Sequence, residues 1–161
     1  MEDDLRNKLR DYALKLLSLR PRSVNEIKSR LNYYCQKKKL PLKLTAEVIN
    51  ELSIKNLLND EEFAKWWIDQ RHEFNLKGKK AITQELTMKG ISREIIGKLL
   101  EVEKKTNTEF DLALKVILKK YPGMKNLSKL QKKMKISSLL YRRGFDWEVI
   151  SQVIDYVTQK E

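Results

Sequence analysis

The chain has 161 residues, and its 34 lysines and arginines against 22 acidic residues give a formal net charge of +12. A hydrophobic fraction of 41% is too high for a disordered chain, and one cysteine and one histidine exclude a zinc cluster, a disulfide framework and a Cys–His catalytic pair. Five glycines and three prolines fall well below the roughly 12% of an average chain. These values predict an all-α protein whose partner is anionic: nucleic acid, a nucleoprotein or a membrane surface.

The amino terminus and the hydropathy of the chain favour a cytoplasmic protein. The first residues, M-E-D-D-L-R-N-K-L, are acidic and amphipathic, unlike a secretory signal peptide. No apolar run approaches the roughly 18 residues that span a bilayer. A single thiol, that of Cys35, is normal for a cytosolic chain. We therefore expect a cytoplasmic protein that does not contact a membrane.

Repeat 1, residues 1–55, is predicted to contain three helices. The first has three apolar residues and a terminal cation on one helical face: Ala13, Leu16, Leu17 and Arg20. Ser23 and Glu26 have capping-box spacing at the start of the second helix, whose core positions are Ile27 and Leu31. Thr45 is predicted to cap the third helix. An insertion at 33–43 is expected to extend the second helix and to form a basic protrusion.

Repeat 2, residues 56–103, has the same pattern. Its first helix is predicted to start at the capping sequence Asn59–Glu62 and carries Ala64, Trp67, Ile68 and Arg71. Its second helix carries Ile82 and Leu86 and ends at the turn Lys89-Gly90, and Ser92 caps the third. We expect Trp67 to lie in the core and Trp66 to be half-buried against a neighbouring repeat.

Repeat 3, residues 104–161, repeats the pattern once more. Its first helix carries Ala113, Val116, Ile117 and Lys120. Ser128 and Gln131 form a predicted capping box, Ile136 and Leu140 are core positions, and Arg143-Gly144 forms the turn. Asp146 is predicted to cap the third helix, and Trp147 is expected to cover the repeat's core. The sequence thus predicts three tandem three-helix, helix-turn-helix-like repeats.

Positive charge is concentrated on the second helices and on the turns that follow them. The segment 112–145 has ten basic residues and no acidic one, and the segment 28–45 has six and none. The third helices instead begin with carboxylates, those of Glu47, Glu94 and Glu148. A recognition helix that enters the DNA major groove would favour cations there. The pattern therefore favours contact with backbone phosphates or an acidic protein face over sequence readout.

The candidate nucleic-acid or filament-binding residues are cations from all three repeats. They are Arg22, Lys28, Lys37, Lys38, Lys39, Lys77, Lys79, Lys80, Lys89, Lys125, Lys129, Lys132, Lys135, Arg142 and Arg143. The pair Arg142-Arg143 is the strongest candidate, because two adjacent guanidiniums are difficult to bury.

No catalytic, cofactor-binding or metal-binding residue is predicted. The sequence has no glycine-rich loop that would cradle a phosphate and no cluster of metal ligands. The carboxylates of Asp60, Glu61 and Glu62 lie at a helix start, where the helix dipole already favours negative charge. We therefore expect a protein that is not an enzyme.

Four segments together resemble the RecX family of regulatory proteins. They are R-S-V-N-E-I at Arg22–Ile27, N-D-E-E-F-A-K-W-W-I-D-Q-R at Asn59–Arg71, K-G-K-K-A-I-T-Q-E-L-T-M-K-G-I at Lys77–Ile91, and L-Y-R-R-G-F at Leu140–Phe145. The resemblance covers roughly residues 10–155 and all three repeats. The insertion departs from the family pattern, which has a short Lys-Gly turn there.

This resemblance implies three repeats of three helices in an elongated, curved array. It also implies a monomeric regulator that binds the RecA recombinase filament on single-stranded DNA, with weaker duplex binding, and mainly inhibits recombinase activity in DNA repair, recombination and the SOS response. Two alternatives remain open from the residues alone. One is a stand-alone helix-turn-helix-type DNA-binding protein, transcriptional or architectural, and the other is a protein-only interaction scaffold.

Overall fold

The computed structural model describes residues 2–103 and 108–159. Over these residues the chain forms nine α-helices and one 3-10 turn, with no strand. The helices are α1 (Glu2–Leu19), α2 (Val24–Lys38), α3 (Lys43–Ile54), α4 (Asp60–Glu73), α5 (Lys79–Met88), α6 (Arg93–Glu103), α7 (Glu109–Lys120), α8 (Lys129–Arg142) and α9 (Trp147–Gln159), and the 3-10 turn is Tyr121–Met124. The all-α prediction is confirmed.

The helices divide into two compact units. Unit 1 comprises Met1–Trp66 and Leu86–Ile95, and unit 2 comprises Trp67–Glu85 and Ile96–Glu161. The boundaries between the units fall inside α4, α5 and α6 and do not coincide with the predicted repeat boundaries. The predicted boundary between repeats 2 and 3, at 103/104, adjoins residues 104–107, which lie outside the described residues, as do 1, 160 and 161.

The core of unit 1 is built from the apolar faces of α1, α2 and α3. Its fully buried side chains recur at helical spacing along each helix. They include Leu9 and Ala13 on α1, Ile27, Leu31 and Cys35 on α2, and Leu44, Val48 and Leu52 on α3. Full burial of each leucine, isoleucine or valine among them stabilises the fold by about 1.5–3 kcal/mol.

The core of unit 2 lies between α7, α8 and α9. Its buried side chains are again spaced one helical turn apart, with Phe145 at the junction of α8 and α9. They include Leu112, Val116 and Ile117 on α7, Ile136 and Leu140 on α8, and Ile150, Val153 and Ile154 on α9. Leu76, from the segment between α4 and α5, packs in the same cluster.

The internal repeat is reproduced in the burial pattern. Ala13, Ala64 and Ala113 are each fully buried, as the alignment of the three first helices predicts. The second-helix pairs are also fully buried: Ile27 and Leu31, Ile82 and Leu86, Ile136 and Leu140. The core positions predicted from the apolar pattern are therefore confirmed.

Most predicted helix starts are confirmed by hydrogen bonds. Ser23 with Glu26 and Ser128 with Gln131 form complete capping boxes. The Asn59 side chain accepts from the backbone N–H groups of Glu61 and Glu62, and Ser92 Oγ accepts from that of Ile95. The prediction for Thr45 is wrong, because α3 begins earlier, at Lys43, and the buried Thr45 hydroxyl lies 3.6 Å from Cys35 Sγ.

The insertion lengthens α2, as predicted. Leu40 N–H donates to the Cys35 carbonyl at 2.8 Å, and the equivalent bonds in the other repeats join Ile91 to Leu86 and Phe145 to Leu140. Lys39 therefore ends α2 in the left-handed backbone conformation, at φ +54. Glycine adopts this conformation in the other two repeats, at Gly90 after α5 and at Gly144 after α8. Compared with the predicted alignment, α2 has one extra turn.

Two predictions for aromatic side chains are wrong. Trp67 is half-buried rather than in the core, because its indole N–H reaches Glu85 Oε2 at 2.8 Å. Trp147 is 66% exposed and does not cover the core of repeat 3. The burial predicted for Trp66 is confirmed, since it is half-buried, but its ring contact is with Phe63 of the same repeat, 5.9 Å between ring centroids.

Candidate nucleic-acid interface

The fifteen predicted cations fall into two groups, those exposed to solvent and those engaged within the fold. The exposed group is Lys28, Lys37, Lys38, Lys39, Lys80, Lys125, Lys129, Lys135 and Arg142. The others are at least half-buried: Arg22, Lys77, Lys79, Lys89, Lys132 and Arg143. The structure therefore separates residues that the charge pattern could not distinguish.

Arg143 is engaged with the segment before α5. Its Nη1 donates to the carbonyl oxygen of Leu76 at 2.8 Å, and its own carbonyl accepts from Gly78 N–H at 2.8 Å. A Cβ at the next residue, Gly144, would lie 2.4 Å from that of Ala81. The predicted Arg142-Arg143 pair is thus split, since the Arg142 side chain is exposed while that of Arg143 docks internally.

Lys89 occupies the equivalent turn of repeat 2 and makes equivalent contacts in unit 1. Its carbonyl accepts from Ser23 Oγ at 2.7 Å, and its ammonium pairs with Glu26 Oε1 at 3.2 Å. A Cβ at Gly90 would lie 2.6 Å from the Asn25 Cβ. The basic-glycine turn of one repeat therefore packs against the start of the second helix of the preceding repeat.

A second contact recurs at the same two places. Asp60, the first residue of α4, accepts from the backbone N–H of Val24 at 2.9 Å, and Glu109, the first residue of α7, accepts from that of Lys79 at 3.0 Å. Each carboxylate thus caps the second helix of the preceding repeat. Burial raises the pKa of both carboxyl groups, more than the backbone hydrogen bonds lower it.

Lys77 belongs to a polar cluster around Glu85. The Glu85 carboxylate pairs with the Lys77 ammonium, and its Oε2 accepts from Arg71 Nε at 2.7 Å. The Arg71 guanidinium carbon also lies over the Trp67 ring, 4.3 Å from the ring centroid. Burial opposes ionisation of Glu85, but these hydrogen bonds outweigh it and lower the pKa of the group. The Lys77 charge is therefore balanced within the fold.

Lys132 and Arg22 are also engaged internally. Lys132 is only 7% exposed, and its ammonium lies 5.7 Å from the centroid of the Tyr121 ring. Arg22 Nε donates to the Leu16 carbonyl at 3.0 Å, and burial lowers the pKa of its guanidinium. Both side chains therefore make contacts within the fold.

The remaining cations lie mainly on two second helices. Lys28, Lys37 and Lys38 are on α2, with Lys39 at its end, while Lys129, Lys135 and Arg142 are on α8, with Lys125 just before it. None of them has an ion-pair partner among the residues that the structure describes. Such unbalanced charge on rigid helices is available to phosphate groups or carboxylates.

Carboxylates at the starts of the third helices are exposed. Glu47, Glu94 and Glu148 all face solvent in the first turn or two of α3, α6 and α9. Negative charge at these helix starts opposes their insertion into a DNA groove.

Sequence reasoning missed two features of this surface. Arg30, exposed on α2 between Lys28 and Lys37, is a cation like its neighbours but lies outside the predicted set. Met134 and Lys120 line a groove beside α8 that no local pattern indicates, because its walls come from α7, the 3-10 turn and α8.

Among the described residues, no group of three or more His, Cys, Asp or Glu side chains is placed to hold a metal ion. No helix in the described part of the chain combines the length and the apolarity that crossing a bilayer requires.

These features define a class: a helical-repeat protein whose unbalanced cations lie on its second helices. Residues 59–100 match the second three-helix domain of RecX, and residues 107–154 match the third. The chain belongs to the RecX family. Its relatives are named regulatory proteins, and the chain has the regulatory role of this family.

Similar sequences extend over nearly the whole chain. A regulatory protein RecX of Chlorobium limicola is 33% identical over 99% of this chain and 95% of its own length. One from Bacillus subtilis is 33% identical over 90% of this chain, which spans about half, 53%, of that relative.

The crystal structure of RecX from Lactobacillus salivarius has the same fold. It superposes with a TM-score of 0.82 over 98% of this chain and 99% of the other, at 24% identity.

Proposed function

We propose that the chain binds the filament that the RecA recombinase forms on single-stranded DNA and inhibits its activity in recombination and repair. The proposal assigns it no catalytic activity and places it in the cytoplasm as a monomer. Family membership supports the regulatory role. The observation that carries the proposal is that α2 and α8 each have exposed cations without acidic partners in the described residues.

The chemistry of these helices suits a nucleoprotein. Lysine ammonium groups on rigid helices bind phosphates as point charges and do not read base edges. Bound along a filament, such a surface would hold neighbouring subunits and obstruct the motions that strand exchange requires. The exposed carboxylates of Glu47, Glu94 and Glu148 disfavour a stand-alone helix-turn-helix reader.

The test is ATP hydrolysis by RecA on single-stranded DNA, with the wild-type chain and with a triple variant of α2, Lys37→Glu, Lys38→Glu and Lys39→Glu. The variant is expected to require at least about tenfold more protein for half-inhibition, because charge reversal turns attraction to phosphate into repulsion. Its control has the same charge change on exposed first-helix positions: Lys15→Glu, Lys115→Glu and Lys119→Glu.

Binding measurements across a salt series separate the alternatives. The proposal expects tighter binding to the filament than to bare single strands or duplex, with the salt slope on single strands reduced by about 0.7 for each lost phosphate contact. Tight, sequence-selective binding to duplex without RecA would favour the stand-alone DNA-binding protein. Inhibition by the triple variant equal to that of its control would contradict the proposal.

A further inference from the structure

A groove of 710 Å³ in unit 2 runs between the 3-10 turn and one face of α8. Its apolar surface is formed by Leu127, Met134 and Leu139, and its cations are Lys120, Lys135 and Arg142. None of the lining residues, all within 108–159, carries a carboxylate. The groove therefore combines apolar surface with positive charge that has no counterpart inside it.

The groove face of α8 is distinct from the face that builds the core. Lys132, Ile136 and Leu140 are buried on the core face. Met134, Ser138 and Arg142 follow one another at intervals of four residues on the other side, and Met134 is 64% exposed. An exposed methionine on a regular helix is a flexible apolar contact that adapts to different partners.

The side chains of the groove favour a peptide over a nucleic acid. Single strands bind where cations alternate with aromatic rings on which bases stack, and no aromatic residue lines this groove. Aliphatic and thioether groups instead pack against aliphatic side chains, while three cations attract carboxylates. From Gln131 to Arg142 the groove follows α8 for about 16 Å, the length of about three helical turns.

We propose that this groove is a docking site for an acidic segment of a protein partner, with aliphatic side chains that pack against Met134 and Leu139. The inference deepens the proposed function, on which it rests for the partner's identity: the groove of the third repeat contacts protein, and the exposed cations of α2 contact phosphate. The site itself can be tested without recombinase or DNA, so its failure and that of the proposed function are distinguishable.

The test uses the full chain labelled with ¹³C at the methionine methyl groups. Met124 and Met134 line the groove and Met88 lies on α5, so they serve as reporters and as an internal control. The probe is a synthetic helical peptide of about eleven residues, roughly 16 Å long, with glutamates and leucines on one face. A second peptide with glutamine for each glutamate is the matched probe, and oligothymidylate is the nucleic-acid probe.

The glutamate peptide is expected to shift the Met134 and Met124 signals saturably, and the glutamine peptide to bind at least about tenfold more weakly. The double variant Lys135→Glu with Arg142→Glu should bind the glutamate peptide at least about tenfold more weakly, again read from Met124. The equal charge change Lys115→Glu with Lys119→Glu, on α7 outside the groove, should retain binding. Far-ultraviolet circular dichroism checks that both variants remain helical.

Three outcomes overturn the inference. Shifts with oligothymidylate but not with the peptide would make the groove a nucleic-acid site. Shifts that depend only on protein concentration would make it a contact between copies of the chain. Equal binding of the glutamate and glutamine peptides, or no binding of either, would rule out an acidic segment as the partner of the groove.

Discussion

The carboxylate of Glu109 accepts a hydrogen bond from the backbone N–H of Lys79, 3.0 Å away, and so caps a helix that begins thirty residues earlier. In unit 1 the carboxylate of Asp60 makes the same contact with Val24 at 2.9 Å. In both places an acidic residue that starts one repeat's first helix completes the hydrogen bonding of the preceding repeat's second helix. The repeats are thus joined by a specific polar contact as well as by apolar packing.

The cap from Asp60 predicts different effects for two substitutions. Asp60→Ala removes the acceptor for Val24 N–H and is expected to lower the free energy of unfolding by about 1 kcal/mol. Asp60→Asn retains an acceptor oxygen and removes a charge that burial disfavours, so it should retain the wild-type stability at neutral pH. Urea unfolding followed by circular dichroism measures both, with the exposed Asp69→Ala on the same helix as the control. Equal losses for the two Asp60 variants would contradict the capping role.

The turn at Gly144 predicts a large loss of stability on adding one methyl group. Gly144 has φ +81, and a Cβ there would meet the Ala81 Cβ at 2.4 Å, so Gly144→Ala should lower the free energy of unfolding by about 2–5 kcal/mol. Gly97→Ala is the matched control in unit 2, because Gly97 is inside α6 with no atom within 4 Å of an added Cβ. That control should raise stability by about 0.5–1 kcal/mol. If thermal or urea unfolding shows that Gly144→Ala and Gly97→Ala change the free energy of unfolding in the same direction, the close approach of Gly144 to Ala81 is refuted.

The split of Arg142 and Arg143 predicts separable consequences of charge reversal. Arg143→Glu removes the donor to the Leu76 carbonyl and leaves that oxygen facing a carboxylate, so it should cost about 1–3 kcal/mol of stability. Arg142→Glu, at an exposed position, should change the free energy of unfolding by less than about 0.5 kcal/mol and weaken binding to the RecA filament. Urea unfolding and filament binding, measured on each single variant, distinguish the two. A stable Arg143→Glu protein that loses binding would show that Arg143 contacts the partner directly.

The lowered pKa of Glu26 predicts that unit 1 loses stability in acid. Burial alone would raise the pKa of Glu26, but hydrogen bonds from Arg20, the Ser23 backbone and Lys89 together lower it from 4.5 to about 2. Because the pKa is lower in the folded chain, these contacts stabilise it above pH 4.5 and are lost as the pH falls towards 2.

Urea unfolding at about pH 6 and about pH 3 measures this loss, and Glu26→Gln should reduce the difference between the two. Glu94→Gln, at an exposed position in the same unit, is the control. An unchanged difference in the Glu26→Gln variant would exclude Glu26 as the source of the acid sensitivity.

Local patterns were sufficient to predict the helices and which face of each is buried. The three alanines and the three Ile–Leu pairs are buried as predicted, because a helix fixes which side chains share a face. Capping residues such as Ser23 and Ser128 are also recognisable, since their hydrogen bonds close within three residues. The capping prediction for Thr45 is wrong because α3 begins two residues before it. The Thr45 hydroxyl makes a buried contact with Cys35 instead of capping the helix.

The sequence by itself determined that this chain is basic, helical and repetitive, and where most of its helices begin. Only the tertiary structure decided which cations remain at the surface. Arg143 reaches a carbonyl 67 residues away in sequence and Lys89 a carboxylate 63 residues away, so neither partner belongs to any local pattern. Net charge adds up along a chain, but its availability to a partner depends on which acceptors folding brings within hydrogen-bond distance.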